Sequence, residues 1–327
     1  MKKLEYPISA SAPGSLMLLG EHAVLHGRRA LVCAIDRRIT VSLVPLNEPV
    51  LKIDSVLGTY EAPLDNLVDH PDFRFVLDAA KQYPLDPSFA KGYGGRGQGV
   101  ELKIGSEFSS DIGFGSSAAV TVATHAALAG NVENKMDLFK RSLATIHRVQ
   151  GRGSGADVAA SVFGGVVAYR TDPVNISPMC EEFPLTAVYS GSKMKTADVI
   201  RHLEERRALN PEYFERIFDR MDASVGEVID DFSRLGEMLR LNQKLMEEMG
   251  LCNAALAEII GIFKGLPAPG GVEGGVPAKI SGSGLGDCVV GLGVPTDLLS
   301  SGRQDNPFGG YPVYALNVTL QGVQVGA

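Results

Sequence analysis

The sequence has no tryptophan, only four cysteines and no long apolar run. Its first apolar run spans only residues 16–19, which is too short for the core of a signal peptide. No stretch approaches the roughly eighteen consecutive apolar residues that indicate a transmembrane helix. Since the cysteines, Cys33, Cys180, Cys252 and Cys288, form no C-x-x-C pair, we expect free thiols rather than metal ligands or disulfides. These absences predict a cytoplasmic protein with no membrane partner.

A basic surface is missing as well. Lys and Arg total 31 against 38 Asp and Glu, which gives a formal net charge of −7, and no run of basic residues stands out. An acidic chain gains little from the phosphate backbone, so no nucleic acid partner is expected. The length of 327 residues, with 45% of them hydrophobic, is typical of a globular protein of about two domains.

Glycine, in contrast, is abundant, at 38 residues. Because glycine loses the most conformational freedom on folding, this number indicates sharp turns or close approach of the backbone to a ligand. One cluster, residues 92–97, matches G-x-G-x-x-G, but no predicted strand precedes it and no predicted helix follows it. We therefore expect no dinucleotide site there, and a Walker A sequence is also absent.

Hydrophobic patterns predict strands and helices in both halves of the chain. The predicted strands are residues 30–35, 39–44, 99–104, 166–169, 185–189 and 314–325. The predicted helices are residues 116–128, 135–149, 155–163, 196–209, 211–250 with a break near Gly236, and 254–263. Since the pattern changes after about residue 172, we predict an α+β protein with domains at 1–172 and 173–327.

A glycine-rich segment opens the first predicted helix. Gly113 and Gly115 allow a sharp turn, and Ser116, Ser117 and Ala118 follow at the helix N-terminus, where free N–H groups and the helix dipole favour an anion. The alternative is a plain helix start in which Ser116 or Ser117 is the N-cap.

Three other segments carry candidate polar groups. Asp157 lies in the first turn of a predicted short helix, where a carboxylate serves either the helix dipole or the deprotonation of a hydroxyl group. The segment 282–284 is either a second anion-binding nest or a tight turn. Glu21 and His22 directly follow an apolar strand, a frequent place for ligand contacts, although a single histidine is more often structural.

Taken in order, these segments resemble the three signature motifs of the GHMP small-molecule kinases. Residues 20–27 are most similar to mevalonate kinases, whereas residues 150–160 and 286–288 are also similar to phosphomevalonate kinases. The resemblance implies a two-domain α+β GHMP kinase fold. Its N-terminal domain would be ribosomal protein S5 domain 2-like and its C-terminal domain ferredoxin-like, with the active site between them.

The resemblance also implies an activity, the phosphorylation of the primary hydroxyl of mevalonate by ATP with Mg²⁺ in isoprenoid biosynthesis. Asp157 would orient or deprotonate that hydroxyl, and Glu21, His22 and Thr196 would lie on the substrate side. Ser117 would also bind the metal. The ATP-binding residues would be Gly113, Gly115, Ser116, Ser117, Ala118, Gly282, Ser283 and Gly284.

Two positions depart from the family pattern. Ser15 replaces the usual lysine, and Ile146 stands where a magnesium-binding glutamate is usual. Because phosphoryl transfer depends on positioning and charge neutralisation, Arg152, Lys193 or Lys195 would have to supply the missing cation. The alternatives are a phosphomevalonate kinase or another GHMP small-molecule kinase, and a catalytically impaired protein that only binds nucleotide and metabolite. A homodimer is common in the branch that the chain resembles.

Overall fold

The computed structural model describes residues 7–83, 99–268, 273–293 and 306–326, and within these ranges the chain forms twelve strands and eight α-helices. The strands are β1 (Ile8–Leu19), β2 (Ala30–Leu46), β3 (Val50–Ser55), β4 (Gly58–Pro63), β5 (Gly99–Ser106), β6 (Val166–Thr171), β7 (Val174–Met179), β8 (Pro184–Tyr189), β9 (Ala278–Ser281), β10 (Cys288–Leu292), β11 (Val313–Asn317) and β12 (Gln324–Gly326). The helices are α1 (Arg74–Ala80), α2 (Ser116–Ala129), α3 (Lys135–Gln150), α4 (Ala156–Phe163), α5 (Thr196–Leu209), α6 (Pro211–Asp230), α7 (Leu235–Glu248) and α8 (Ala254–Gly265). Two 3₁₀ turns span Ala23–His26 and Phe232–Arg234. The glycine cluster at 92–97 lies outside the described residues.

The first sheet has eight strands and is organised around the long strand β2. It runs in the order β12-β1-β2-β5-β3-β4, and β6 pairs with both β2 and β7. Helices α2 and α4 pack against β1 and β2. Because strand side chains alternate between faces, Met17 of β1 joins the core under these helices, whereas Leu16 and Leu18 point to the opposite side.

The second sheet has four antiparallel strands in the order β11-β8-β10-β9. Helices α5 to α8 contribute to a separate core against it, which includes Leu203, Phe218, Met246 and Ile259. Within the described residues, no helix is long and apolar enough to cross a membrane.

A third apolar cluster joins the two sheets. It contains Leu18 and Cys33 from the first sheet, Val290 from the second, and Leu239 of α7. Strand β12 also returns the chain end to the first sheet, where it pairs with β1. The domain boundary at residue 172 stays a prediction.

The structure confirms most of the predicted elements and contradicts three. The strands predicted at 30–35 and 39–44 are one continuous strand, β2, because the polar residues between them stay extended, with Arg38 paired to Pro13 of β1. The helical region from Pro211 breaks at Asp231, not near Gly236, because the Asp231 side chain accepts a hydrogen bond from the backbone N–H of Ser233 and starts a 3₁₀ turn. The single strand predicted at 314–325 is two strands, β11 and β12, which belong to different sheets. The prediction also omitted the hairpin of β3 and β4 and the short strand β7.

Candidate active site

The N-terminus of α2 presents backbone N–H groups without a side-chain cap among the described residues. The N-cap is Gly115, with φ of 67°, so neither serine plays the capping role that the sequence left open. The preceding loop packs on β1, where the N–H of Ser15 donates to the carbonyl of Phe114 over 3.0 Å. A Cβ on Gly115 would collide with Ser15 Oγ. Glycine is therefore required for the backbone turn that exposes this helix end, the arrangement that suits an anion.

Asp157 lies in the first turn of α4, as predicted. Ser15 Oγ donates to Asp157 Oδ1 over 2.8 Å, so the serine at the usual lysine position contacts the predicted catalytic carboxylate directly. Burial raises the pKa of Asp157, the hydrogen bond from Ser15 lowers it, and the charge of Glu21 raises it. A carboxylate held in this way accepts a proton more readily than an ordinary aspartate.

Ile146 is buried in α3 and supplies no carboxylate. A Cβ built on Gly153 would lie 3.1 Å from Ile146 Cγ2, so this side chain packs beneath the loop that precedes Asp157. The magnesium binding expected of a glutamate at this position would therefore need another residue.

Glu21 lies at the end of β1 and joins the first sheet to the second. Its carboxylate pairs with Lys279 of β9, and its Oε2 accepts a hydrogen bond from Asn242 Nδ2 over 3.1 Å. Both Glu21 and Lys279 are buried, and burial lowers the pKa of Lys279. Since both carboxylate oxygens already have partners, the substrate contact predicted for Glu21 stays a prediction.

His22 faces the third glycine segment. Its Nε2 lies 2.8 Å from the carbonyl oxygen of Ser283, and burial lowers its pKa. The ring is therefore neutral at neutral pH, and Nε2 carries the hydrogen that it donates to this carbonyl. The predicted substrate contact of His22 also stays a prediction.

The segment from Gly282 to Asp287 comes back to the loop before α2. Gly282 and Gly284 have φ of 98° and 86°, and Asp287 also adopts a positive φ, 63°. A Cβ built on Gly113 would lie 3.0 Å from the Cβ of Asp287, and Cys288 Sγ lies 3.0 Å from the carbonyl oxygen of Ile112. The structure thus brings Asp287 and Cys288, which follow the predicted ATP-binding segment 282–284, against the loop that contains Gly113.

Of the three candidate cations, Lys193 lies at this junction. Its Nζ donates to the carbonyl of Ser110 over 3.2 Å and is 3.9 Å from Asp287 Oδ1. Arg152 instead donates to the carbonyl of Ala197 over 2.8 Å, which ties the loop before Asp157 to the exposed start of α5. The exposed Lys195 and Thr196 stand at that start.

Sequence reasoning did not assign three residues that the structure places here, Lys279, Asn242 and Asp287. A lysine inside the short apolar strand β9 and a carboxylate between glycines and an apolar strand were the available signals. No local pattern indicated their partners, because Asn242 and Lys279 are separated from Glu21 by 221 and 258 positions.

Comparison with known proteins identifies the family. A model of the GHMP kinases N-terminal domain matches residues 75–165, and a galactokinase galactose-binding signature matches residues 2–45. A mevalonate kinase of Archaeoglobus fulgidus is 35% identical over 288 residues, which cover 86% of this chain and 91% of that protein. The chain belongs to the mevalonate kinase family. A mevalonate kinase of Aeropyrum pernix is 30% identical, with 86% of this chain and 87% of that protein covered.

The fold of this family member is that of a GHMP kinase, as the sequence predicted. The solved structure of the Methanococcus jannaschii mevalonate kinase matches it with a TM-score of 0.76, at 20% identity, over 95% of this chain and 98% of that one. As a member of the mevalonate kinase family, the chain is an ATP-dependent small-molecule kinase.

Proposed function

We propose that this kinase transfers the γ-phosphoryl group of ATP to the primary hydroxyl of mevalonate. The observation that carries the proposal is the Asp157 carboxylate, which lies at a helix start, bonded to Ser15, in a chain 35% identical to a mevalonate kinase. Burial raises the pKa of this carboxylate, which suits a group that takes a proton from an acceptor hydroxyl.

The phosphates of ATP bind at the start of α2. Gly113 and Gly115 bring the backbone close, the N–H groups of Ser116, Ser117 and Ala118 face the anion, and the helix dipole adds a partial positive charge. The segment 282–284 closes the site from the second sheet, and Lys193 supplies a side-chain cation at the same junction.

Asp157 orients the acceptor hydroxyl and takes its proton as the bond to phosphorus forms. The Ser15 hydroxyl holds one carboxylate oxygen, Oδ1, which leaves the other to face the acceptor. His22 and Thr196 lie on the substrate side in this proposal.

The residues present also fit Mg²⁺. This ion prefers oxygen ligands and is typically held by one or two carboxylates together with substrate phosphates. Ser117 offers a hydroxyl at the start of α2, and Asp287 Oδ1 is buried without a hydrogen-bond partner among the described residues. When bound, Mg²⁺ would neutralise negative charge on the phosphates.

The test is an assay of ADP release with mevalonate, with 5-phosphomevalonate and with no acceptor. We expect turnover with mevalonate, at a kcat in the range of about 1–100 s⁻¹ that is typical of kinases. Turnover with 5-phosphomevalonate alone would make the acceptor assignment wrong and favour a phosphomevalonate kinase. Failure with both acceptors, in a protein that still binds ATP, would support the catalytically impaired alternative.

The homodimer and the cytoplasmic location implied at the outset remain proposals. Analytical ultracentrifugation of the purified protein tests the first, and cell fractionation tests the second.

A further inference from the structure

Asp287 carries a buried carboxylate whose side chain has no evident structural function. The residue is 6% exposed, and its Oδ1 has no hydrogen-bond partner within the part of the chain that the structure describes. Its backbone is well anchored, because its N–H donates to the carbonyl of Ser192 over 2.9 Å and its carbonyl accepts from the N–H of Ser190 over 2.9 Å. These bonds hold the loop whatever the side chain is, so they do not explain why a carboxylate stands here.

The surroundings of this carboxylate are those of the phosphate site. A Cβ built on Gly113 would lie 3.1 Å from Asp287 Oδ1, so the carboxylate rests against the first glycine of the loop before α2. Lys193 Nζ is 3.9 Å from Oδ1, beyond hydrogen-bond distance. Burial raises the pKa of Asp287, the charge of Lys193 lowers it, and the charge of Asp157 raises it. The carboxylate thus packs against a loop suited to anions and lies within electrostatic range of the Asp157 carboxylate.

Such an arrangement is unfavourable unless a cation enters it. Two carboxylates and the phosphates of ATP repel one another, and an unpartnered buried carboxylate oxygen carries a desolvation cost of its own. A single lysine does not balance this charge. A divalent cation between the carboxylate and the phosphates would satisfy Oδ1 and remove the repulsion.

The remaining side chains point to the same kind of ion site. Within the described residues, no group of three or more His, Cys, Asp or Glu side chains could hold a metal ion by itself. An ion here must therefore take much of its coordination from the nucleotide, which is the usual way that Mg²⁺ binds in kinases.

We propose that Asp287 is a direct ligand of the Mg²⁺ that accompanies ATP, and that it provides the carboxylate missing at Ile146. This inference rests on the proposed kinase function but not on the identity of the acceptor. Asp287 directly precedes β10 of the second sheet, whereas the α2 N-terminus follows β5 of the first sheet, so the ion would join both halves of the site.

The test measures nucleotide binding instead of turnover. Isothermal titration calorimetry gives the Kd of the non-hydrolysable ATP analogue AMPPNP, once with Mg²⁺ and once with EDTA. We expect Mg²⁺ to tighten binding to the parent protein, and we expect Asp287→Asn to reduce this gain by about tenfold or more. In EDTA the variant should bind as tightly as the parent or more tightly, because a negative charge has been removed.

The matched control is Asp111→Asn. Asp111 is an exposed aspartate in the loop before α2. Burial raises the pKa of Tyr189, and the charges of Asp287 and Asp111 both raise it further, so the two aspartates lie in the same electrostatic surroundings. The control variant should keep the full gain from Mg²⁺. A second readout is the electron paramagnetic resonance spectrum of Mn²⁺ titrated into the AMPPNP complex, in which Asp287→Asn should weaken Mn²⁺ binding by a similar factor.

Two outcomes would overturn the proposal. An unchanged gain from Mg²⁺ in Asp287→Asn would show that the carboxylate is not a ligand, and equal weakening in Mg²⁺ and EDTA would show that the residue only shapes the loop. Asparagine tolerates the positive φ of residue 287. Glycine adopts this φ without strain, so Asp287→Gly is a second variant with the same expected result. Since neither readout needs an acceptor, failure here is distinguishable from failure of the mevalonate assignment.

Discussion

At the scale of single residues, the contact between Ser15 and Asp157 shows what the serine does at the position where the family usually has a lysine. The serine hydroxyl holds the carboxylate in place but brings no positive charge, and burial keeps the pKa of Asp157 raised. In the proposed mechanism Asp157 is thereby a stronger base, and the positive charge for phosphoryl transfer comes from another residue, for which Lys193, bonded to the carbonyl of Ser110 in the loop before α2, is the candidate.

Asp157→Asn should abolish most of the activity without destabilising the protein. Loss of the base should lower kcat by about 10²- to 10⁴-fold. Because the folded-state pKa of Asp157 lies above its ordinary value of 3.8, ionisation of this group favours unfolding, and the free energy of unfolding falls as pH rises through that interval. At neutral pH the neutral asparagine should therefore keep or raise the Tm, measured by calorimetry. A lower Tm with wild-type kcat would contradict both parts.

Ser15→Ala should change the pH dependence more than the maximal rate. The Ser15 hydrogen bond lowers the pKa of Asp157, so its removal raises that pKa further and should move the acid limb of the kcat/KM profile to higher pH. The control is Ser161→Ala, which removes a buried hydroxyl that bonds the carbonyl of Pro13 on the same strand, over 2.8 Å. The two variants should differ in their acid limbs. Superimposable profiles would exclude this role for Ser15.

At the scale of elements, β1 connects the site to both sheets. It carries Ser15 toward α4, and the residues that follow it reach the second half of the chain: Glu21 pairs with Lys279 of the second sheet, and His22 contacts Ser283 in the loop after β9. Asn242 of α7 reinforces this contact by accepting from the N–H of Gly20 over 3.2 Å.

Lys279→Met should strongly destabilise the protein, because it leaves the Glu21 carboxylate buried without its cation. Breaking a buried pair in this way costs about 3–5 kcal/mol of unfolding free energy, measured by urea denaturation. The double variant Lys279→Met with Glu21→Gln should recover much of that loss. Lys103→Met is the control: the exposed Lys103 pairs with the half-buried Glu101, and its loss should cost less than about 1 kcal/mol. Equal effects at the two lysines would contradict a buried, structural pair.

Elements with strong local signals could be predicted from the sequence. The helix at Ser116–Ala129 has a glycine at each end, and Lys135–Gln150 has one apolar face and an asparagine N-cap. The last strand could not be predicted correctly, because one apolar stretch supplies strands to two sheets, and only long-range pairing decides between them. The site shows the same limit. The position of Asp157 in the first turn of a helix can be predicted from local sequence. The pairing of Glu21 with Lys279 cannot, because the two residues are 258 positions apart and only the fold brings them together.

At the scale of the whole molecule, the candidate site lies where the two sheets meet. The third apolar cluster, the pair of Glu21 with Lys279 and the return of β12 to β1 all join the halves of the chain. The chain has a net charge of −7, and the nucleotide is an anion. The cations at this junction therefore have to offset the repulsion between the chain and its ligand.

Because these contacts join the two sheets, we expect the half of the chain that contains each sheet to unfold together with the other. The absence of tryptophan makes the prediction easy to test, since any introduced tryptophan is the sole one in the chain. Tyr60→Trp places a reporter on β4 of the first sheet, and Tyr311→Trp places one beside β11 of the second; both tyrosines are half-buried.

For each variant, the urea midpoint from fluorescence should coincide with the midpoint from far-ultraviolet circular dichroism of the same protein. Leu239→Ala, which truncates a buried side chain in the cluster that joins the sheets, should lower both midpoints together, at a cost of about 2–5 kcal/mol. A fluorescence midpoint that departs from the circular dichroism midpoint in one reporter variant would show that its half unfolds independently. The predicted boundary at residue 172 would then separate autonomous folding units, and the contacts between the sheets would serve the site more than the stability of the fold.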